Sequence, residues 1–170
     1  VGRLHPQKNH DFLIDVFAEL KKKKPDAELI LVGTGPLEEK VKSKVVEKGL
    51  SDCVHFLGNR KDMNRIYQAM DVFVFPSLFE GLGIVAIEAQ AAGVPIVCSE
   101  GLPPETDITP IYRKLLLSDG AEKWANAALE MAQNLKAHTN MQQYVIDAGF
   151  DMDATAKYME SYYLNRWRTA

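Results

Sequence analysis

Apolar residues fall along this chain in two alternating patterns. Continuous β-rich runs, "ELILVG", "CVHFLG", "DVFVFP" and "PIVCS", occupy 28–33, 53–58, 71–76 and 95–99, and apolar residues at helical spacing lie between them. Phe12, Leu13, Val16, Phe17 and Leu20 form one helical stripe, and Leu37, Val41 and Val45 form a second that stops at Gly49. A shorter helix is expected from Asp62 to Met70 and another from Gly83 to Ala92. The opening "VGRL" reads as the tail of a strand already in progress, and "KLLLS" at 114–118 as the last strand. Helical patterns then return in "AEKWANAALEMAQNL", in a short segment after it, and in "ATAKYMESYYLNRW". Strands that are apolar throughout, rather than at every second position, are covered on both faces. The expected fold class is therefore α/β: a Rossmann-like doubly wound parallel sheet of about six strands with helices on both faces, binding its ligands outside the carboxyl ends of the strands.

Composition adds limits rather than detail. A chain of 170 residues, 46% hydrophobic and 25% charged with a net charge of -3, reads as one soluble globular domain. No stretch approaches the ~20 apolar residues of a membrane span, and the mild acidity argues against nucleic acid as a partner. Lys21 to Lys24, just before Pro25, read as a solvated helix end. Cys53 and Cys98 lack metal-ligand spacing and read as reduced core residues of a cytosolic protein. The abrupt start without an initiator Met leads to the expectation of a fragment that lacks a preceding segment.

Chemistry is sought at the carboxyl ends of the strands. In "GRLHPQKNHDF", Arg3 and Lys8 bracket a Pro-containing turn and Asn9 is placed as the N-cap of the next helix. Two cations beside a helix N-terminus suit an anion, the alternative being two surface bases in a loop. In "VGTGPLEE" the dinucleotide pattern G-x-G-x-x-G fails, because Glu38 holds the third glycine position. Gly33 and Gly35 then say only that backbone passes close to a ligand or a helix, and Pro36 suits a first helical position. In "FLGNRKD", Asn59 and Arg60 expose backbone groups that can read a flat base, and Asp62 opens a helix. In "PSLFEGLG", Glu80 enters a loop with Gly81, Leu82 and Gly83, whose amides are free to meet a ligand. Glu88 rides on the second turn of the following helix, otherwise apolar, where a carboxylate suits the two hydroxyls of a ribose. The alternatives are a structural salt bridge for Glu88, since a buried charge needs a partner, and a solvated loop charge for Glu80. The "DMD" run, Asp151 to Asp153, precedes a helix and reads as capping by Asp153 rather than as a metal motif. His5, His10, His55 and His138 show no metal or triad spacing.

Taken in order and spacing, "GRLHPQKN", "LILVGTGPLEEKV", "VHFLGNRKD", "AMDVFVFPSLFEGLGIVAIEAQAAGVPIV" and "EKWA" resemble the donor-binding half of the retaining GT-B glycosyltransferases of family 4, above all bacterial enzymes that assemble exopolysaccharide or capsule. The resemblance runs from Val1 to about Gln133, and its most specific element is the Glu80 and Glu88 pair set between "DVFVFPS" and "EAQAAGVPIV". It implies one half of a GT-B fold: a nucleotide-sugar-binding domain over 1–170, with 138–170 as its C-terminal helical segment and the N-terminal acceptor domain outside this chain. It also implies that Arg3 and Lys8 hold the nucleotide diphosphate, that Glu88 binds the ribose hydroxyls, and that Asn59 and Arg60 lie along the base. Glu80 would face the donor sugar, as a nucleophile or as a hydroxyl-binding and electrostatic residue, and Gly33, Gly81, Leu82 and Gly83 would complete the donor site. Gly83 stands where many relatives have Pro. The implied reaction is retaining transfer from a nucleotide sugar, a UDP-sugar by expectation, in cell-surface polysaccharide synthesis. No metal or cofactor is expected, and the isolated chain is expected to be inactive. The implied setting is the cytoplasm, at the membrane face through the missing half. A non-catalytic nucleotide-sugar-binding module is the alternative.

Overall fold

A computed structural model describes residues 1–134 and 139–168. The elements follow in the order α1 (His10–Lys23), β1 (Leu29–Leu31), α2 (Glu38–Glu47), β2 (Val54–Phe56), α3 (Met63–Tyr67), β3 (Phe73–Phe75), α4 (Ile84–Ala91), β4 (Ile96–Ser99), β5 (Tyr112–Leu115), α5 (Ala121–Asn134), α6 (Gln142–Asp147) and α7 (Met152–Arg168). Every strand pair is parallel: β1 lies beside β2, and β4 lies between β3 and β5.

Both faces are covered, as continuous apolar strands require. In β4 all four residues are buried, and they alternate between two cores. Val97 joins a cluster with Ile14, Phe17, Val41 and Trp124, while Ile96 and Cys98 join one with Ile66, Tyr67, Phe75 and Ala86. Trp124 is fully buried, meets Phe12 edge-on at 5.5 Å, and donates its indole N–H to the Leu116 carbonyl at 2.9 Å. Cys53 and Cys98 are buried and free of disulfides, and burial pushes the Cys98 thiol up to about 12.

The expected sheet of about six strands is resolved, among the described residues, as five strands in two sheets. The sixth run, Val1 to Leu4, forms no strand and makes only two bonds to the neighbouring segment: Gly2 donates to Val32 at 2.8 Å and Leu4 to Thr34 at 3.0 Å. It lies beside the end of β1, with Val1 packed into the cluster that holds Phe73 and Phe75. The last strand starts and ends earlier than "KLLLS", because Leu117–Asp119 turns into a 3-10 helix in which the Asp119 carboxylate accepts the Leu116 N–H at 3.1 Å. Helix α3 stops at Tyr67 and not at Met70, since Ala69 and Met70 bond three residues back, to Ile66 and Tyr67, and tighten the turn.

Two further corrections concern helix starts. Pro36 sits in the turn before α2 and not at its first position. At α7 the cap is Asp151 and not Asp153: its Oδ1 accepts the N–H groups of Asp153 and Ala154 at 2.8 and 3.0 Å. His138 and Leu135 lie outside the described residues. Among the described residues no helix is long and apolar enough to cross a membrane.

A candidate nucleotide-sugar site at the strand ends

The first loop turns through a 3-10 segment, Pro6–Lys8, into α1. Asn9 stands at the N-cap position as expected, yet its side chain makes no capping bond. The reason is its left-handed backbone (φ 53°), the sole positive φ of a non-Gly residue among the described residues. Side-chain capping requires an extended N-cap. The first amides of α1 are thus left without a cap from Asn9. Arg3, nearby in sequence, is exposed and has no ion-pair partner among the described residues.

Lys8 behaves differently. Its Nζ lies 2.7 Å from Glu80 Oε1 and 4.9 Å above the Phe75 ring centroid. The two side chains are only 18% and 7% exposed. Glu80 is therefore no solvated loop charge but half of a largely buried ion pair. Backbone bonds hold the two loops in register around it. Leu78 donates to the Gln7 carbonyl and Gln7 Nε2 to the Phe79 carbonyl, each at 2.8 Å, while the Glu80 N–H reaches the Gly101 carbonyl at 2.9 Å. Among the described buried atoms beside this pair in sequence, His10 Nδ1 and Ser77 Oγ have no hydrogen-bond partner. Burial, ahead of the neighbouring positive charges, pushes His10 down to about 4, so its ring is neutral.

Glycines shape the same loops for two different reasons. Gly83, at the N-cap of α4, has φ 71°, where a proline fixed near -65° cannot stand. A proline at position 83 is thus incompatible with this loop path. A Cβ at Gly33 would lie 2.1 Å from the Gly2 carbonyl oxygen, and one at Gly35 would lie 2.3 Å from that of Leu4. Of the close neighbours that sequence left open, the one toward which a Cβ would point at both glycines is the Val1–Leu4 run.

Glu88 does not match the buried salt bridge that was the alternative to its ligand role. It is exposed, not buried, and its Oε2 accepts a hydrogen bond of 2.9 Å from the Tyr67 hydroxyl. Asn59 and Arg60 are exposed in the turn after β2. The Thr34 hydroxyl contacts Asn59 Oδ1 at 3.4 Å, and Arg60 grips both oxygens of Asp62 at 2.8 and 2.7 Å. Asp62 thus occupies the N-cap of α3 without capping it, its carboxylate being taken by Arg60. Those bonds hold Asp62 down at about 2. The expected result is that this clamp persists above the ordinary 3.8 and is lost as pH falls towards 2. A carboxyl NMR titration checks this, and Arg60→Ala should return Asp62 to the ordinary range.

The structure brings Lys8 and Glu80 into contact, sets Arg3 and the start of α1 in the same first loop, and pairs Glu88 with α3. Sequence reading passed over Tyr67, which looks like any core aromatic, and Gln90. The latter carried a signal, being a polar residue among alanines. It is fully buried, donates to the Ala86 and Thr106 carbonyls at 3.0 and 2.9 Å, and accepts from Thr109 N–H and Oγ1 at 3.2 and 2.8 Å. A separate surface cavity of about 500 Å³, flanked by Glu105, Asp107 and Tyr144, contains none of the expected site residues. Among the described residues no three His, Cys, Asp or Glu side chains gather as a metal site.

Parallel strands with helices on both faces, and charged loops at the strands' carboxyl ends, define a Rossmann-like α/β domain that takes its ligands at those strand ends. The solved structure of TarM from S. aureus, described as a complex with fondaparinux, alpha-GlcNAc-glycerol and UDP, superimposes with a TM-score of 0.79 over 96% of this chain and 34% of TarM, at 21% identity. The sequence profile described as Glycosyl transferases group 1 matches residues 1–134, and the chain belongs to that family. Curated relatives include the putative glycosyltransferase EpsF of Bacillus subtilis (strain 168), 35% identical over 133 residues, which are 78% of this chain and 35% of EpsF. Another is the lipopolysaccharide core biosynthesis mannosyltransferase LpsB of Rhizobium meliloti (strain 1021), 36% identical over 104 residues, 58% of this chain and 30% of LpsB. The chain thus spans about a third of the length of the curated relatives it matches.

Proposed function

We propose that this chain is the donor-binding half of a retaining glycosyltransferase, gripping the nucleoside diphosphate of a nucleotide sugar without a metal ion. The observation that carries this reading is the Lys8–Glu80 contact across two strand-end loops, which supports assigning the cation to the diphosphate and the carboxylate beside it to the sugar. Glycosyl transfer breaks the bond between the anomeric carbon and the diphosphate oxygen, so negative charge grows on the leaving group while positive charge grows on the sugar. Arg3 offers a planar fork to phosphate oxygens, and Lys8 offers a compact charge with three donors, enough to hold Glu80 and a phosphate oxygen together. The uncapped start of α1 adds backbone donors to the same anion. Glu80 then stands against the sugar, either as nucleophile or as an electrostatic and hydroxyl-binding group. Glu88 accepts the ribose hydroxyls, Asn59 and Arg60 run along the base, and the backbone of Gly33, Gly81, Leu82 and Gly83 lines the donor.

A UDP-sugar is the donor we propose, supported by the UDP in TarM. The similarity to LpsB, named for lipopolysaccharide core biosynthesis, supports a role in cell-surface polysaccharide synthesis. The setting we propose is the cytoplasmic face of the membrane, with an acceptor-binding domain as partner. The test is titration calorimetry with UDP and with uridine. Arg3→Ala is expected to weaken UDP about 10- to 100-fold, as loss of a charge-assisted bond does, and to leave uridine unchanged. Equal losses for both would make Arg3 a structural residue and remove the diphosphate assignment.

A further inference from the structure

The Tyr67 ring is buried in the second core, with 3% of the residue exposed, and stands edge-on to Phe73 at 6.4 Å between centroids. Packing on this scale leaves the ring a single position. Its hydroxyl lies 2.9 Å from Glu88 Oε2 and 3.4 Å from the Val85 carbonyl. A phenol has one proton to give, and the carboxylate oxygen is the nearer and stronger acceptor. Burial, ahead of the Glu88 charge, pushes the phenol above its ordinary range, which keeps it a donor at any physiological pH.

Glu88 by itself is an exposed glutamate with three rotatable torsions. Ordering such a side chain is costly in entropy, and a group already held in its binding rotamer avoids that cost when the ligand arrives. On the reading of Glu88 as the ribose acceptor, we infer that Tyr67 is the positioning residue of this site: its buried hydroxyl fixes Glu88 Oε2 and leaves Oε1 and the second lone pair of Oε2 aimed outward for a vicinal diol. The arrangement also joins two parts of the site. Tyr67 ends the short helix α3 that the Asn59–Asp62 turn begins, so the segment assigned to the base and the carboxylate assigned to the ribose share one rigid connection. A phenylalanine at 67 would fill the same space in the core and orient nothing.

The experiment is calorimetry on the parent protein, Tyr67→Phe, Glu88→Gln and the double variant. The ligands are UDP or GDP, whichever the parent binds more tightly, and the 2′,3′-dideoxy form of the same nucleotide. Tyr67→Phe is expected to weaken the diol form about three- to tenfold and the dideoxy form not at all, with no further loss once Glu88 is Gln. Equal weakening of both forms would mean that Tyr67 acts through the fold, and unchanged affinity for both would mean that Glu88 needs no orientation. Either result overturns the inference. If Glu88→Gln keeps the parent's preference for the diol form, or if the parent binds neither nucleotide, the ribose reading itself falls and the inference with it. If Glu88→Gln abolishes that preference while Tyr67→Phe retains it, the ribose reading stands and only the inference fails.

Discussion

Lys8→Met should lower the melting temperature of the ligand-free protein by about 10 °C, and adding Glu80→Gln should restore most of that loss without restoring diphosphate binding. With Glu80 only 7% exposed, removal of its partner strands a carboxylate that water barely reaches. Breaking such a pair costs about 3 kcal/mol, the lower end of the buried range because Lys8 is itself partly wet, and each kcal/mol moves the midpoint of a chain this size by about 2–4 °C. The double variant has no stranded charge, so its stability recovers. Its affinity for a nucleoside diphosphate does not, because the cation is still missing. Glu80→Gln alone completes the cycle. It retains an amide oxygen for Lys8 and removes a negative charge close to the diphosphate, so leaving-group binding should tighten several-fold. Turnover in the transferring enzyme should fall about tenfold or more, since a group that stabilises the charged sugar is lost. Differential scanning calorimetry and nucleotide titration on the four proteins read both cycles. Additive losses in melting would show that the two side chains do not depend on each other, contrary to their 2.7 Å contact.

Gln90→Leu should cost about 3–5 kcal/mol and release the segment from Gly101 to Thr109, although the new side chain matches the old in size. The substitution removes the acceptor of the Thr109 N–H and hydroxyl, and the donor to the Thr106 and Ala86 carbonyls. Buried groups left without partners, rather than the lost bonds themselves, dominate the cost. The consequence reaches the site, because the Gly101 carbonyl at the head of this segment accepts the Glu80 N–H. Thermal melting should show the stability loss, and hydrogen exchange should show faster exchange at Glu80 and Thr109 than at the amides of α1. A loss below about 1 kcal/mol would mean that the loop finds its bonds elsewhere.

Much of the architecture was legible from pattern. The order of strands and helices follows from where apolar runs are continuous and where they recur at helical spacing, and parallel pairing follows from their being apolar on both sides. The sheet's edges were less legible. "KLLLS" looks like a strand through Ser118, but the Asp119 carboxylate draws the chain into a 3-10 turn first. Residues competent to cap were recognised by type at Asn9, Asp62 and Asp153, and none of the three caps with its side chain. At Asn9 the backbone is left-handed, at Asp62 an arginine claims the carboxylate, and at the start of α7 the cap falls to Asp151. Capping ability is a local property, whereas its use depends on a dihedral and on competitors.

The two carboxylates mark the boundary between the two kinds of knowledge. By itself the sequence determined that Arg3, Lys8, Glu80 and Glu88 stand in strand-end loops or just beyond them, because in a parallel α/β chain each such loop follows its strand directly. It placed Glu88 in an apolar helix and Glu80 in a glycine loop, which left a buried salt bridge open as the alternative for Glu88 and a solvated charge as the alternative for Glu80. The tertiary structure decided against both. Helix α4 turns Glu88 outward to the Tyr67 hydroxyl, and the first loop folds over Glu80 to deliver Lys8 from 72 residues away along the chain. Burial and ion pairing depend on distance and on excluded water, and both are properties of what packs over a residue rather than of its neighbours in sequence.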